Sequence, residues 1–261
     1  MPEQNTGAAP DDAQCEYATH YPDVASAGSL TNALRAQADR AGHRLAVEPD
    51  TPADSSADSS ADSSPGRSRR EAHVRAGDRS THVWMAPGVR SFSVSCWTGE
   101  IRTATGSTDD LAEVTGAMHT WHSGARIAEL LARRPFLHTS ELAEAHERGE
   151  AIPVRWRQLR EHTADERTTA RHRNVPALRE LVEAAYAHPR LRALSPGQSM
   201  SWITFSRRAA PPICRDLPRV MPTGDHTYRI RFHDGRLQEV DGAAAAVEAI
   251  VAALPDDAVP A

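Results

Sequence analysis

The sequence offers two clusters of side chains that could do chemistry, and the first is His119-Thr-Trp-His122. Two histidines three residues apart on a helix lie on the same side of it and could share a metal ion. A typical zinc-binding helix also places a glutamate between its histidines, whereas Thr120 and Trp121 stand here. The spacing forces no cysteine or acidic third ligand nearby. Three interpretations stay open: a metal site, a polar pocket or partner surface, and ordinary half-exposed histidines.

The second cluster lies further along the chain and combines carboxylates, an imidazole and guanidinium groups. A carboxylate beside an imidazole can act as an acid–base pair, and an arginine can hold a carboxylate or a phosphate. Alternatively, the glutamates that supply the carboxylates of this cluster lie on the solvated face of a helix. Glu144 and Arg148 would then form an ion pair between residues four apart. From both clusters we take as the candidate binding surface His119, His122, Glu144, His146, Arg155 and Trp156.

Composition and motifs exclude several kinds of chemistry. All 30 Lys+Arg residues are arginine, so this chain has no lysine for a P-loop, a Schiff base or a Ser-x-x-Lys dyad. The segment Gly197–Ser201 lacks the second glycine of a nucleophile elbow and predicts a turn that enters a strand. Glycine-rich dinucleotide loops and calcium loops are absent. We predict no metal and no cofactor, and leave open whether the protein is an enzyme.

Charge and cysteine usage predict a setting. A net charge of −5 argues against a general nucleic-acid binder, whose surface is usually basic. The cysteines Cys15, Cys96 and Cys214 are far apart and odd in number, as is typical of a reducing cytosol. The longest apolar segment, Ala243–Leu254, contains Glu248 and is too short to span a bilayer. We expect a cytoplasmic protein that binds neither nucleic acid nor membrane.

The elements that must position the two clusters form an α+β fold. Leu111, Val114, Met118 and Trp121 recur at spacings of three and four, which predicts an amphipathic helix. Residues alternate with a period of two in the four segments before it, and tight turns join them. We predict an antiparallel β-sheet with helices packed mainly on one face. The four strand segments are His73–Arg75, Thr81–Met85, Ser91–Trp97 and Ile101–Ala104.

The order strand, turn, strand, helix occurs a second time between Thr227 and Leu254. The sequence leaves open whether these segments are two related ββα units, which could pair into one continuous sheet. Residues 1–23 are predicted to be a disordered tail, residues 24–255 a single domain, and residues 256–261 a second tail. Within the domain, residues 50–70 are a flexible insertion. It contains Ala-Asp-Ser-Ser three times and too few apolar groups to offset the entropy of ordering it.

Several short motifs together resemble a known family. They are Tyr21–Val24, Thr105–Leu111, Thr120–Gly124, Arg134–Leu137, Glu141–Arg148, Val154–Arg157 and Val251–Pro255. The chain resembles an actinobacterial family of natural-product-biosynthesis proteins that carry a domain of unknown function, and the resemblance spans Tyr21 to Pro255. It implies a biosynthetic setting and supplies no catalytic residue.

We expect a cytoplasmic accessory protein of secondary metabolism that acts by binding. Its partner would be a biosynthetic enzyme, a carrier domain or a small-molecule intermediate such as a precursor. One alternative is a biosynthetic enzyme that uses histidine, glutamate and arginine side chains on the central helices. The other is an interaction or immunity-type module outside metabolism. The sequence leaves the oligomeric state open.

Overall fold

A computed structural model of the chain describes residues 17–45, 70–164, 175–213, 216–256 and 258. Residue contacts divide the chain into two units, residues 1–140 and residues 141–261. Each unit contains one five-stranded antiparallel sheet together with helices, and the predicted α+β class is confirmed. The prediction of one continuous sheet is wrong for the described residues, because each set of five strands pairs only within itself. The assignment of residues 24–255 to a single domain stays a prediction.

The first unit is built on a meander whose strands pair in chain order, β1-β2-β3-β4-β5. Its strands are β1 (Glu71–Ala76), β2 (Arg79–Met85), β3 (Phe92–Thr98), β4 (Ile101–Thr108) and β5 (Leu137–His138). Its helices are α1 (Pro22–Ala27), α2 (Leu30–Arg40), α3 (Leu111–His122) and α4 (Ile127–Arg133). Strand β5 is short, and the sequence analysis missed it.

Helix α3 forms where the apolar stripe predicted it. The Asp110 carboxylate accepts a hydrogen bond from the Ala112 amide (2.7 Å) and so satisfies one free N–H group of the first turn. The apolar residues at spacings of three and four are all buried: Leu111, Val114, Met118 and Trp121. The Trp121 indole N–H also donates to the Trp97 carbonyl on β3 (3.2 Å). One indole thereby ties the helix to the sheet by both packing and a hydrogen bond.

Strand β3 shows the alternation expected of a sheet with one covered face. Phe92, Val94 and Cys96 are buried, whereas Ser93 and Ser95 on the other face are partly exposed. On that second face, Ser95 Oγ lies 3.2 Å from Thr105 Oγ1 on β4. The packed face and the wetter face are therefore distributed along β3 as predicted.

Residues 17–23, which fall within the predicted disordered tail, have a defined structure. Residues 17–20 are helical, and the Tyr21 side chain is buried. Its hydroxyl accepts from the Ser91 amide (2.9 Å) and lies 2.8 Å from the carbonyl oxygens of Ala86 and Val89. The sequence did not predict this anchor. A single tyrosine makes the contact, and the polar residues around it show no apolar periodicity. The predicted insertion lies outside the described residues except for Arg70.

The second unit contains a second meander, with strand order β10-β9-β8-β7-β6. Its strands are β6 (Ser195–Ser199), β7 (Trp202–Ser206), β8 (Arg219–Pro222), β9 (Thr227–Arg231) and β10 (Leu237–Asp241). Its helices are α5 (Glu141–Arg148), α6 (Ala151–Ala164), α7 (Val175–Ala187), α8 (Pro189–Arg192) and α9 (Ala243–Ala252). The β9–β10 hairpin followed by α9 matches the predicted strand, turn, strand, helix order. Common descent of this segment with β3–β4–α3 stays a prediction.

The second sheet contains two strands that the sequence did not predict: β6, part of which was predicted to be a turn, and β8. Strand β6 includes Pro196 and Gly197, residues that usually mark turns. Gly197 is required by close packing, because a Cβ atom there would meet Thr204 Oγ1 at 2.8 Å. Strand β8 ends at Pro222 and is only four residues long. Both segments form strands because they pair with neighbouring strands, and not because their local sequence favours a strand.

Within the described ranges, no helix is both long enough and apolar enough to cross a membrane.

Candidate functional site

The six residues of the candidate binding surface fall into two groups. His119 and His122 lie on α3 of the first unit, whereas Glu144 and His146 on α5, and Arg155 and Trp156 on α6, lie in the second unit. The environment of each group decides what its side chains can do.

His122 faces the interior of the first unit. Its Nε2 atom lies 3.0 Å from Thr81 Oγ1 on β2, and Thr81 is fully buried. Its Nδ1 atom is also buried and has no hydrogen-bond partner among the described residues. If Nε2 accepted from the threonine, Nδ1 would carry an orphaned N–H group, which is rarer in proteins than an orphaned acceptor. We assign the proton to Nε2, which then donates to the Thr81 hydroxyl oxygen.

Burial is the main cause of the shifted pKa of the His122 imidazole. Loss of solvent, followed by the positive charge of Arg79, lowers the pKa of His122 from 6.5 to about 4. The imidazole is therefore neutral at physiological pH. His122 is partly buried and hydrogen-bonded to a core threonine, which favours a structural role for it.

Cys96 completes a buried polar cluster with Thr81 and His122. Cys96 lies directly opposite Thr81 in the β2–β3 register, and its thiol hydrogen-bonds to the threonine hydroxyl. The order thiol, hydroxyl, imidazole resembles a nucleophile supported by a base. Burial, however, raises the pKa of the Cys96 thiol to about 12, so the reactive thiolate is not populated near neutral pH. The cluster is therefore suited to packing and not to nucleophilic catalysis.

His119 lies on a different side of α3 and contacts other elements. Its ring stacks on that of His43, with 4.2 Å between centroids and 2° between planes. Partial burial, then His119 and Arg134, lower the pKa of His43. Arg134 binds Glu113 at 3.1 Å, and a Cβ atom on Gly116 would meet its guanidinium at 2.3 Å. The glycine therefore leaves room for an arginine to lie against the helix.

The two histidines of α3 thus have separate partners, Thr81 for His122 and His43 for His119. In the part of the chain that the structure describes, no group of three or more histidine, cysteine, aspartate or glutamate side chains is placed to hold a metal ion.

Trp156 belongs to the core of the second unit and not to a surface. Its side chain is 1% exposed and its indole N–H donates to the Leu194 carbonyl (3.0 Å). The ring packs against Tyr186 and Phe205. Inclusion of Trp156 in the candidate surface is therefore corrected. The flanking arginines suggested exposure, but the indole lies on the apolar side of α6 together with Leu159.

Glu144 has the solvated-helix role that the sequence offered as the alternative. Its carboxylate lies 3.8 Å from the Arg148 guanidinium, four residues later on α5. Glu141 on the same helix binds Arg157 of α6. These carboxylates are engaged with arginines, and exposed pairs of this kind contribute little to stability.

Among the candidate residues of the second unit, His146 and Arg155 are near enough for the arginine charge to act on the imidazole. Burial, and then the positive charge of Arg155, lower the pKa of His146. Burial alone lowers the pKa of Arg155, with no offsetting carboxylate. The Arg155 Nε atom is buried and lacks a hydrogen-bond partner among the described residues. Since a buried charge is normally paired, this guanidinium has unused capacity for an anion.

The His146–Arg155 pair favours anion binding over acid–base chemistry. A carboxylate beside His146 would favour the protonated imidazole, but the nearby charge is a cation, which favours the neutral form. A carboxylate or phosphate bound at Arg155 would reverse this effect and allow His146 to become a second donor. The charges around this pair are therefore better suited to an anion at Arg155 than to acid–base chemistry.

Sequence reasoning did not single out Thr81, Cys96, His43 or Arg134. Strand alternation could have indicated Thr81 and Cys96, because it places both side chains on the covered face of the sheet, on adjacent strands. His43 follows the end of α2, and nothing in its spacing along the sequence relates it to His119.

The fold and these side chains define a two-unit α+β protein with a partly buried arginine, Arg155, beside His146 in its second unit. Residues 150–261 match a protein family described as a family of unknown function, DUF6193. The match lies within the second unit and includes Arg155, while His146 precedes it. No curated protein and no solved structure shows significant similarity to the chain.

Proposed function

We propose that the chain is an accessory protein of natural-product biosynthesis that acts by binding. It recognises a carboxylate or phosphate group of a pathway enzyme, a carrier domain or a precursor. The observation that supports binding is the half-buried guanidinium of Arg155, which has no anionic partner among the described residues. An arginine fork matches the geometry of either anion.

The biosynthetic setting rests on the resemblance carried by motifs such as Arg134–Leu137 and Glu141–Arg148. Those motifs resemble an actinobacterial family, and the proposal places the protein in the cytoplasm of such a bacterium. The second-unit match adds no activity, because that family has no known function.

The enzyme alternative is less well supported by the same side chains. Glu144 is engaged with Arg148, and His146 faces a cation instead of a carboxylate. The third candidate, an interaction module outside metabolism, would use the same anion site with a different partner.

A histidine titration tests anion recognition directly. We expect the pKa of His146, followed by NMR of its imidazole, to rise when inorganic phosphate or acetate is added. The reason is that a bound anion offsets the Arg155 charge. Arg155→Gln should abolish this response. Arg157→Gln is the matched control, because Arg157 lies on the same helix but is already paired with Glu161 at 3.0 Å.

The proposed role in natural-product biosynthesis is tested in the bacterial strain that makes the metabolite. Arg155→Gln should abolish or strongly reduce the metabolite, whereas Arg157→Gln should not. Normal production with Arg155→Gln would overturn the proposed site. If production is lost while the purified variant still binds the pathway protein or precursor, the enzyme alternative replaces binding.

A further inference from the structure

The outward face of the second sheet contains two arginines that face each other. Arg219 on β8 and Arg231 on β9 are direct partners in the antiparallel register. Their strand neighbours Val220 and Ile230 are buried, so the two arginines lie on the opposite face of the sheet. Directly opposed side chains have Cβ atoms roughly 4.5–5.5 Å apart. Two arginine side chains therefore leave the sheet next to each other on this face.

This pair is not neutralised by the protein. Within the described ranges, neither Arg219 nor Arg231 has a carboxylate partner. Arg229, two residues earlier on the same face of β9, is different, because it binds Glu239 of β10 at 2.7 Å. Like charges directly opposite one another destabilise an antiparallel pair. A bound anion would turn this repulsion into attraction.

The surroundings hold one arginine in place and add apolar surface. The Arg219 guanidinium lies 4.8 Å from the ring centroid of Trp202 on β7, within the range of a cation–π contact. On the other side of the pair, Leu237 is opposite Arg231 and is 57% exposed. An indole and an exposed leucine thus flank the two cations.

From this arrangement we propose that Arg219 and Arg231 form a binding site for a phosphate monoester that carries an aromatic or apolar group. Such a monoester has a charge of about −1.5 to −2 near pH 7, which balances two guanidinium groups. A carboxylate would balance only one of them. The forked N–H donors of arginine match phosphate oxygens, and Trp202 and Leu237 provide contact for the apolar group. The site shares no residue with the His146–Arg155 pair and does not depend on the proposed function.

Phenyl phosphate is the probe that tests this site, and titration calorimetry near neutral pH is the measurement. We expect saturable binding of one phenyl phosphate per chain. Arg231→Gln and Arg219→Gln should each weaken it by about tenfold or more, because each removes charge-assisted hydrogen bonds. The matched control is the double variant Arg229→Gln with Glu239→Gln, which alters the neighbouring ion pair and should change affinity by less than about twofold. Benzoate, with the same ring and one charge, should bind more weakly than phenyl phosphate.

A charge-reversal variant separates loss of binding from loss of fold. Arg231→Glu places opposite charges across the two strands, so its melting temperature should equal or exceed that of the wild type. Its binding of phenyl phosphate should be lost. Absence of saturable binding by the wild type, or wild-type affinity in Arg231→Glu, would overturn the proposal. It is also overturned if a single-stranded oligonucleotide binds through these arginines while phenyl phosphate does not.

Discussion

Thr81 Oγ1 and His122 Nε2 lie 3.0 Å apart beneath helix α3, and this hydrogen bond joins the helix to strand β2 of the first unit. The threonine is fully buried and also contacts the Cys96 thiol. The hydrogen bond between Thr81 and His122 thus links an inner strand of the sheet to the C-terminal turn of the helix that covers it. Because the imidazole must stay neutral in this position, the hydrogen bond couples the stability of the first unit to pH.

We predict that His122 makes the protein less stable as pH falls. Its pKa is about 4 in the folded protein and 6.5 without the fold. Between these values the unfolded chain binds more protons, so the free energy of unfolding decreases as pH decreases through this range. The stabilisation is fully present above pH 6.5. Denaturant unfolding measured from pH 4 to pH 7 checks this.

The comparison that isolates His122 is the difference between the wild type and His122→Gln. The variant should be less stable at neutral pH, and its stability should depend less steeply on pH. His162→Gln, at an exposed position on α6, is the control and should leave the wild-type profile unchanged. Parallel profiles for the wild type and His122→Gln would show that His122 does not control this dependence.

Trp121 should be a major contributor to the stability of the first unit. The side chain is 1% exposed, donates to the Trp97 carbonyl, and stacks against Arg79 at 4.1 Å. Trp121→Ala should therefore destabilise the protein by about 3–5 kcal/mol, as large-to-small changes in cores do. Trp84→Ala is the control, because Trp84 is half exposed, and should cost less than about 1 kcal/mol. Urea unfolding of both variants decides this. Equal losses would contradict the core role of Trp121.

The contrast between Trp121 and Trp156 shows what the sequence could and could not predict. The stripe Leu111, Val114, Met118 places Trp121 in a core because helical periodicity is local information. Trp156 is surrounded by arginines in the sequence, and its partners Tyr186 and Phe205 lie far away along the chain. Only the fold shows that it is buried. Strand β8 was missed for the same reason, since pairing with β7 and β9 defines it.

The candidate site was predicted only in part, because helical spacing specifies direction but not environment. His119 and His122 were predicted to share one side of α3, yet one ring stacks on His43 and the other binds Thr81. Arg155 was selected from the sequence as part of the candidate surface, and its role there stays a prediction. Its lack of an anionic partner among the described residues depends on which carboxylates reach it, and that is a property of tertiary structure.

Tyr21→Phe should show that the N-terminal segment is anchored to the loop between β2 and β3. The hydroxyl accepts from the Ser91 amide at 2.9 Å, so its removal leaves that N–H group without this acceptor. We expect a loss of about 1–3 kcal/mol, the usual cost of an unsatisfied buried group. Hydrogen exchange at the Ser91 amide should accelerate in parallel. A variant with wild-type stability and unchanged exchange would contradict the anchor.

The last prediction concerns Arg155. If this residue is kept for anion binding, its unpaired guanidinium lowers the stability of the folded protein. An arginine with a buried, unpaired Nε atom is desolvated without compensation. Methionine has a similar length and no charge. Arg155→Met should therefore leave stability unchanged or raise it, by up to about 1 kcal/mol for a half-buried position.

Arg160 on the same helix is the matched control for Arg155. It makes two hydrogen bonds to Glu183 (2.8 and 2.7 Å) and lies 4.3 Å from the Tyr186 ring centroid. Arg160→Met should lower stability by about 0.5–1 kcal/mol, because it removes an ion pair and a cation–π contact from a partly exposed site. Chemical denaturation of the two variants in one buffer without phosphate compares them. A marked loss of stability in Arg155→Met would show that Arg155 has a structural partner, and the anion site would then be assigned wrongly.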